Sequence, residues 1–205
     1  MLVKPKMYDE IIINESYEKI ILGGHKGIIK NIIEYTSAIS GNTSLKVEVD
    51  TSSDDKQPNY FQKQFDENTN MDKKWSNSGT KYVSLKQDEN CIKMLKSFIT
   101  SVENSNPNFT YDWNKEVDQL KGKKVGLVFG LEEYQNDKGE TKTSIKLTQF
   151  RSIDKVDNVR IPNVRLLNGS YMSIDDYNEI KEEKSNSSSF KEFSDLVEIT
   201  DNLLD

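Results

Sequence analysis

A chain of 205 residues has room for one domain with its own core plus loose ends, and its 34% hydrophobic against 30% charged residues leaves the apolar share below the usual globular level. A single cysteine, Cys91, excludes an intrachain disulfide; with a single histidine, His25, it also excludes the usual zinc sets, and no apolar run approaches the roughly 18 residues of a membrane span. The net charge of −6 is unevenly spread, +2 over Gly23 to Asn168 and −7 over Gly169 to Asp205, so an acidic total leaves a body able to hold an anion.

Met1 to Ile21 lacks a positive start, an apolar stretch and a small-residue cleavage site, and reads as an N-terminal extension of a cytoplasmic protein. Gly23 to Thr36 places Ile28, Ile29, Ile32 and Ile33 after a glycine pair, which predicts a bulged strand. In Leu45 to Thr51, Leu45, Val47 and Val49 alternate with Lys46, Glu48 and Asp50, a strand with one wet face. Tyr60 to Phe65 reads as a third strand, and Ser78-Gly79 turns the chain toward Lys81 to Leu85.

From Asp88 the period changes. Cys91, Met94, Leu95, Phe98, Ile99 and Val102 recur at helical spacing, and Pro107 stands past the end. Val125 to Tyr134 and Thr143 to Phe150, joined by Asn136 to Gly139, predict a β-hairpin. The acidic tail, 169–205, contains Ser185 to Ser189 of linker composition. Strands, one helix, then two strands is the order of an OB-fold-like five-stranded Greek-key barrel, mainly β with its helix between strands three and four, here assigned to residues 22–168. A mixed α+β sheet with a lone helix would read much the same.

A groove that grips single-stranded nucleic acid needs cations for phosphates and aromatic faces for bases. The candidates on the predicted strands and their edges are Lys46, Tyr60, Lys63, Trp75, Tyr82, Tyr134, Lys146 and Arg151. Lys46 and Lys146 alternate with apolar neighbours and so point away from a core. Phe61, Phe65, Phe129 and Phe150 fit the core better. The run Lys121 to Lys124 fits a solvated turn, and alternating Phe109, Tyr111 and Trp113 fit a plug over the open end of a barrel.

Catalytic and cofactor signals fail. The glycines at 23, 24 and 27 match no nucleotide loop, Glu132, Glu133 and Asp137 suit a charged hairpin better than a metal, and His25 has no nucleophile near it in sequence. Cys91 falls on the apolar face of the helix. No catalytic residue, metal or cofactor is expected. In the tail, Phe193, Leu196, Leu203 and Leu204 sit among carboxylates, a mixture suited to a basic groove on a partner protein.

The segments Leu22 to Gly27, Trp75 with Gly79 to Tyr82, Phe98-Ile99 followed by Ser105-Asn106, Leu120 to Lys123, and Val128 to Tyr134 ahead of Gly139 resemble single-stranded DNA-binding proteins encoded by phages of low-GC Gram-positive bacteria. The likeness spans about Leu22 to Pro162, and the Asn, Lys, Ile and Ser bias suits such a source. It implies an OB-type fold and sequence-independent coating of single-stranded DNA during phage replication or recombination, with phage or host replication proteins met through the acidic tail. Where the bacterial proteins of this kind end in a Pro-Phe pair, this sequence ends in Leu204-Asp205. The rival expectation is a protein-interaction adaptor of a replication or recombination complex in which DNA contact is incidental. Self-association is open on either reading.

Overall fold

In β1 (Gly23–Thr36), His25, Gly27 and Ile29 are buried in alternation until the register slips at Lys30, after which Ile32 is the inward residue. This is the predicted bulge, in a strand whose first part, Gly23 to Ile28, pairs with β4 (Lys124–Gln135) while Gly27 to Thr36 pairs with β2 (Thr43–Thr51). The computed structural model describes residues 18–183, together with residue 4.

Among the described residues the architecture is mainly β, a seven-stranded mixed sheet with three α-helices. Beyond the strands already given, β3 is Thr80–Ser84, β5 is Thr141–Arg151, β6 is Val164–Arg165 and β7 is Tyr171–Met172; α1 is Tyr60–Glu67, α2 is Glu89–Ser105, and residues 174–183 are helical (α3). The order is β3-β2-β1-β4-β6-β7, with β5 on the free edge of β4. β4 and β6 are parallel and the other pairs antiparallel. The sheet is open, because no backbone ladder joins β3 to β5; across that seam the Lys81 Nζ donates to the Leu147 carbonyl at 3.4 Å.

The core sits on the concave side: Ile29, Ile32, Leu45, Val47, Val49 and Val83 from the β1-β2-β3 meander, Leu127 and Phe129 from β4, and Phe98 and Val102 from α2. On α2 the buried stripe is Phe98, Ile99 and Val102, with Leu95 half-buried, whereas Met94 is exposed and Cys91 is not enclosed. The helix therefore overhangs the sheet by its first two turns, so Cys91, although on the apolar face of the helix, is only half-buried. Asp88 caps it, its Oδ1 accepting from the Cys91 amide at 2.9 Å. Glycine is required at position 24, where a Cβ would lie 1.9 Å from the Val156 carbonyl oxygen: the 152–164 strap packs against the outer side of β1 and β4 there.

The expected third strand is a helix. Tyr60 to Phe65 forms α1 because the chain reverses at Asn59, which has a left-handed φ of 52°, and because Asp50, eleven residues before Phe61, caps the new helix. Its Oδ1 accepts from the Phe61 amide at 2.8 Å and from the Thr51 amide at 2.9 Å. The third strand is β3 instead. Replacing Asp50 with alanine is expected to lower the unfolding free energy by about 1 to 2 kcal/mol through loss of that cap, read as a shifted urea midpoint at constant slope.

Both ends of the assigned domain extend further than expected. Ile20 is buried in the core, and Gln57 holds the incoming chain by accepting from the Ile21 amide at 2.8 Å and donating to the Lys19 carbonyl at 3.1 Å. The first part of the tail segment also folds: β7 pairs with β6, and buried Tyr177 donates its hydroxyl to Glu133 at 2.8 Å. Burial and that bond push the Tyr177 phenol up to about 12, so it stays a neutral donor at ordinary pH. Among the described residues no helix is long and apolar enough to cross a membrane.

Candidate nucleic-acid interface

The bulge at Lys30 sets the phase of the rest of β1. With Ile32 inward, Ile33 and Tyr35 stand on the outer face, 41% and 42% exposed. Across the ladder Ile33 pairs with Lys46, Lys46 pairs with Tyr82 on β3, and Tyr35 and Ser84 both pair with Ser44. Tyr82, 49% exposed, thereby meets Tyr35 diagonally, ring centroids 5.5 Å apart and tilted by 57°. The result is a wet face on three strands that carries two phenol rings, an isoleucine and an ammonium. At its rim the hollow beside the two tyrosines is lined by Ser37 and Asn42 from the β1-β2 loop, Lys86 and Asp88 from the connection between β3 and α2, and Cys91 at the start of α2.

Lys46 is positioned by its own strand. Its Nζ donates to Glu48 at 2.6 Å, and Glu48 also accepts from Asn31 at 3.1 Å. The Glu48 hydrogen bond raises the Lys46 ammonium above its usual range despite partial desolvation, with Glu48, Tyr82 and Tyr35 adding smaller electrostatic contributions. It is a fixed cation beside the rings.

The other candidates are dispersed. Tyr60 and Lys63 lie on α1, beyond the Thr51 end of β2; Tyr60 is half-buried, edge-on to Phe61, while Lys63 is exposed. Trp75 is half-buried against the core, its indole N–H donating to the Val49 carbonyl at 3.1 Å and its ring 5.5 Å from Phe65. Tyr134 and Arg151 mark opposite ends of the β4-β5 hairpin, since Arg151 pairs with Gly126 and Tyr134 stands eight residues further along, roughly 26 Å away. Lys146, opposite Gly130, lies at the β3-β5 seam with Lys81. The candidate list thus contributes one close pair, Lys46 with Tyr82, and the ladder supplies Tyr35 and Ile33, which the sequence reading left unassigned. The tail candidates Phe193, Leu196, Leu203 and Leu204 lie outside the described residues.

The signals set aside as structural have structural partners. Lys123 lies over the Phe109 ring at 4.4 Å, and Lys121 pairs with Asp118 at 3.1 Å. Tyr111 is buried against the core, and Trp113, 70% exposed, meets its ring edge-on at 4.8 Å. Glu132 pairs with Arg165, and Glu133 accepts from the Leu167 amide and Tyr177. Among the described residues no group of three or more His, Cys, Asp or Glu side chains gathers as a metal site.

No protein-family model and no curated protein matches the chain.

Proposed function

We propose that the chain is a phage or prophage single-stranded DNA-binding protein that coats single strands during replication or recombination without reading their sequence, on a fold of the OB type. The observation that carries this is the outward Tyr35-Tyr82 pair beside Lys46 on the β1-β2-β3 meander. Rings so exposed offer π-faces that any base can stack on, and the Lys46 ammonium beside them, held by Glu48, supplies a phosphate contact, with Lys86 at the rim as a second. Two outward tyrosines and an isoleucine on one sheet face have no role in the core of an isolated domain.

The OB reading is supported by connectivity. A three-strand meander, a helix and a hairpin follow in that order, β1 lies between β2 and β4, and β5 approaches β3. In such a barrel the outer face of strands two and three, flanked by the loop between strands one and two, is the oligonucleotide surface; Tyr82 on the outer face of β3 and Tyr35, at the end of β1 beside the β1-β2 loop, support that reading.

The adaptor reading draws on a different observation: Ile92 and Met94 are exposed on the overhanging turns of α2, next to Cys91 at the rim of the same face. Fluorescence anisotropy of labelled oligo-dT, with duplex of the same length as control, separates the two. Single-strand binding that weakens with salt, by about 0.7 in log-log slope per phosphate neutralised, is the expected result. Equal affinity for duplex, or no binding at low salt, favours the adaptor.

A further inference from the structure

The seam between β3 and β5 opens into a cavity of about 450 Å³ whose lining includes Lys81, Glu132, Lys146, Leu147, Arg165 and Tyr171. Lys81 enters it because its ladder partner is Val47, a core residue; its neighbour Tyr82 therefore points to the opposite side of the sheet. Three cations from three strands face this hollow, and the protein supplies a single carboxylate among these groups. That carboxylate, Glu132, is already engaged by Arg165 at 2.5 Å. Lys146 has no hydrogen-bond or ion-pair partner among the described residues, and Lys81, an ammonium with three protons to donate, has one long bond to the Leu147 carbonyl. Burial pulls the Lys81 ammonium below its usual range, with Glu132 opposing.

Packing does not require this arrangement. An apolar side chain at position 81 would fill the seam without desolvating a charge, and like charges gathered in one hollow repel one another. A group with several anionic oxygens answers both costs: it can accept from two ammonium groups, from the fork of a guanidinium and from the Tyr171 hydroxyl. The cavity is of a size that takes a phosphoryl group with its sugar.

We propose that the β3-β5 seam is a phosphate-ester site in which Lys81, Lys146 and Arg165 hold one phosphoryl group. The group comes either from a phosphodiester of a bound strand or from the monoester of a free nucleotide, and the site does not depend on the tyrosine face being a DNA surface. The test is an NMR titration of the ¹⁵N-labelled full chain with dTMP and, separately, with oligo-dT lacking terminal phosphates, following the amides of Lys81, Leu147 and Arg165. Saturable movement of these signals is expected, weakened about tenfold or more in the double variant Lys146→Gln, Arg165→Gln, both outside the core.

Movement with the oligonucleotide assigns the site to strand phosphodiesters; movement with dTMP alone assigns it to a nucleotide; either supports it. Signals that stay still with both ligands overturn it, as does movement that survives unchanged in the double variant. Should the oligonucleotide shift the Tyr35 and Tyr82 signals while neither ligand moves the seam, the seam proposal fails and the strand-binding reading stands. Should dTMP shift the seam while the oligonucleotide binds nowhere, the reverse holds.

Discussion

Replacing Tyr35 and Tyr82 together by alanine is expected to weaken oligo-dT binding by between about thirtyfold and about twenty-thousandfold, because each stacked base is worth roughly 1 to 3 kcal/mol by alanine substitution and two rings are lost. The fold should scarcely notice. Both rings are close to half exposed and neither belongs to the core cluster, so the unfolding free energy is expected to move by no more than about 0.5 kcal/mol per site. The companion variant Lys46→Gln removes a charge and leaves the rings. It should lower the magnitude of the salt slope by about 0.7, whereas the tyrosine variant should leave the slope intact and lower affinity at every salt concentration. Anisotropy titrations at several salt concentrations read both effects. If the double tyrosine variant binds oligo-dT as the parent does, the outer face of the meander is not the strand surface.

Single-element features were legible in the sequence wherever one face meets the core. Leu45, Val47 and Val49 write β2 by alternation, the stripe from Leu95 to Val102 writes α2, and the turn at Asn136 to Gly139 writes the β4-β5 hairpin, because in each the period of burial is the period of the element. What was not legible depends on residues far apart in the chain. Tyr60 to Phe65 is six residues that fit a strand or a helix equally, and the choice is made by Asp50, whose carboxylate reaches the Phe61 amide from the end of β2. Tyr35 is outward because the Lys30 bulge shifts the phase of β1; continued without it, the phase of Ile29 would have carried positions 33 and 35 toward the core. Lys81 enters the seam because it pairs with Val47, a register that its own stretch of sequence does not encode. Of the eight residues offered for nucleic acid, Lys46 and Tyr82 meet because a ladder register puts them side by side, and no local pattern encodes that register.

Replacing Asp55 with asparagine is expected to lower the unfolding free energy by about 1 to 3 kcal/mol, the cost of leaving a buried donor unsatisfied. Asp55 ties its own loop to the start of β1. Its Oδ1 accepts from His25 Nδ1 at 2.8 Å and from the Gln57 amide at 2.9 Å, while its Oδ2 accepts from the Lys26 amide at 2.8 Å. His25, 1% exposed, sets its other ring nitrogen 2.8 Å from the Ile21 carbonyl, so the ring links the Asp55 carboxylate to the incoming chain. An asparagine would present an N–H₂ to one of these donors and leave it unsatisfied. The pH dependence follows from the same contacts. Burial pushes the Asp55 carboxyl up, but the bonds from His25, Gln57 and Lys26 and the His25 charge outweigh it and hold the group below the usual carboxylate range. Its stabilisation is therefore complete above about pH 4 and is lost as pH falls through the lowered folded-state value. Asp50 runs the other way: burial raises its carboxyl against the pull of three backbone amides, so its contribution is complete below about pH 4 and is lost as pH rises through the raised value. Urea midpoints of parent and Asp55→Asn measured from pH 7 down to about pH 3 should converge on the acid side, since only the parent has the Asp55 term to lose and both keep the Asp50 term. Midpoints separated by the same interval at every pH would mean that the Asp55 charge contributes nothing to anchoring the incoming chain.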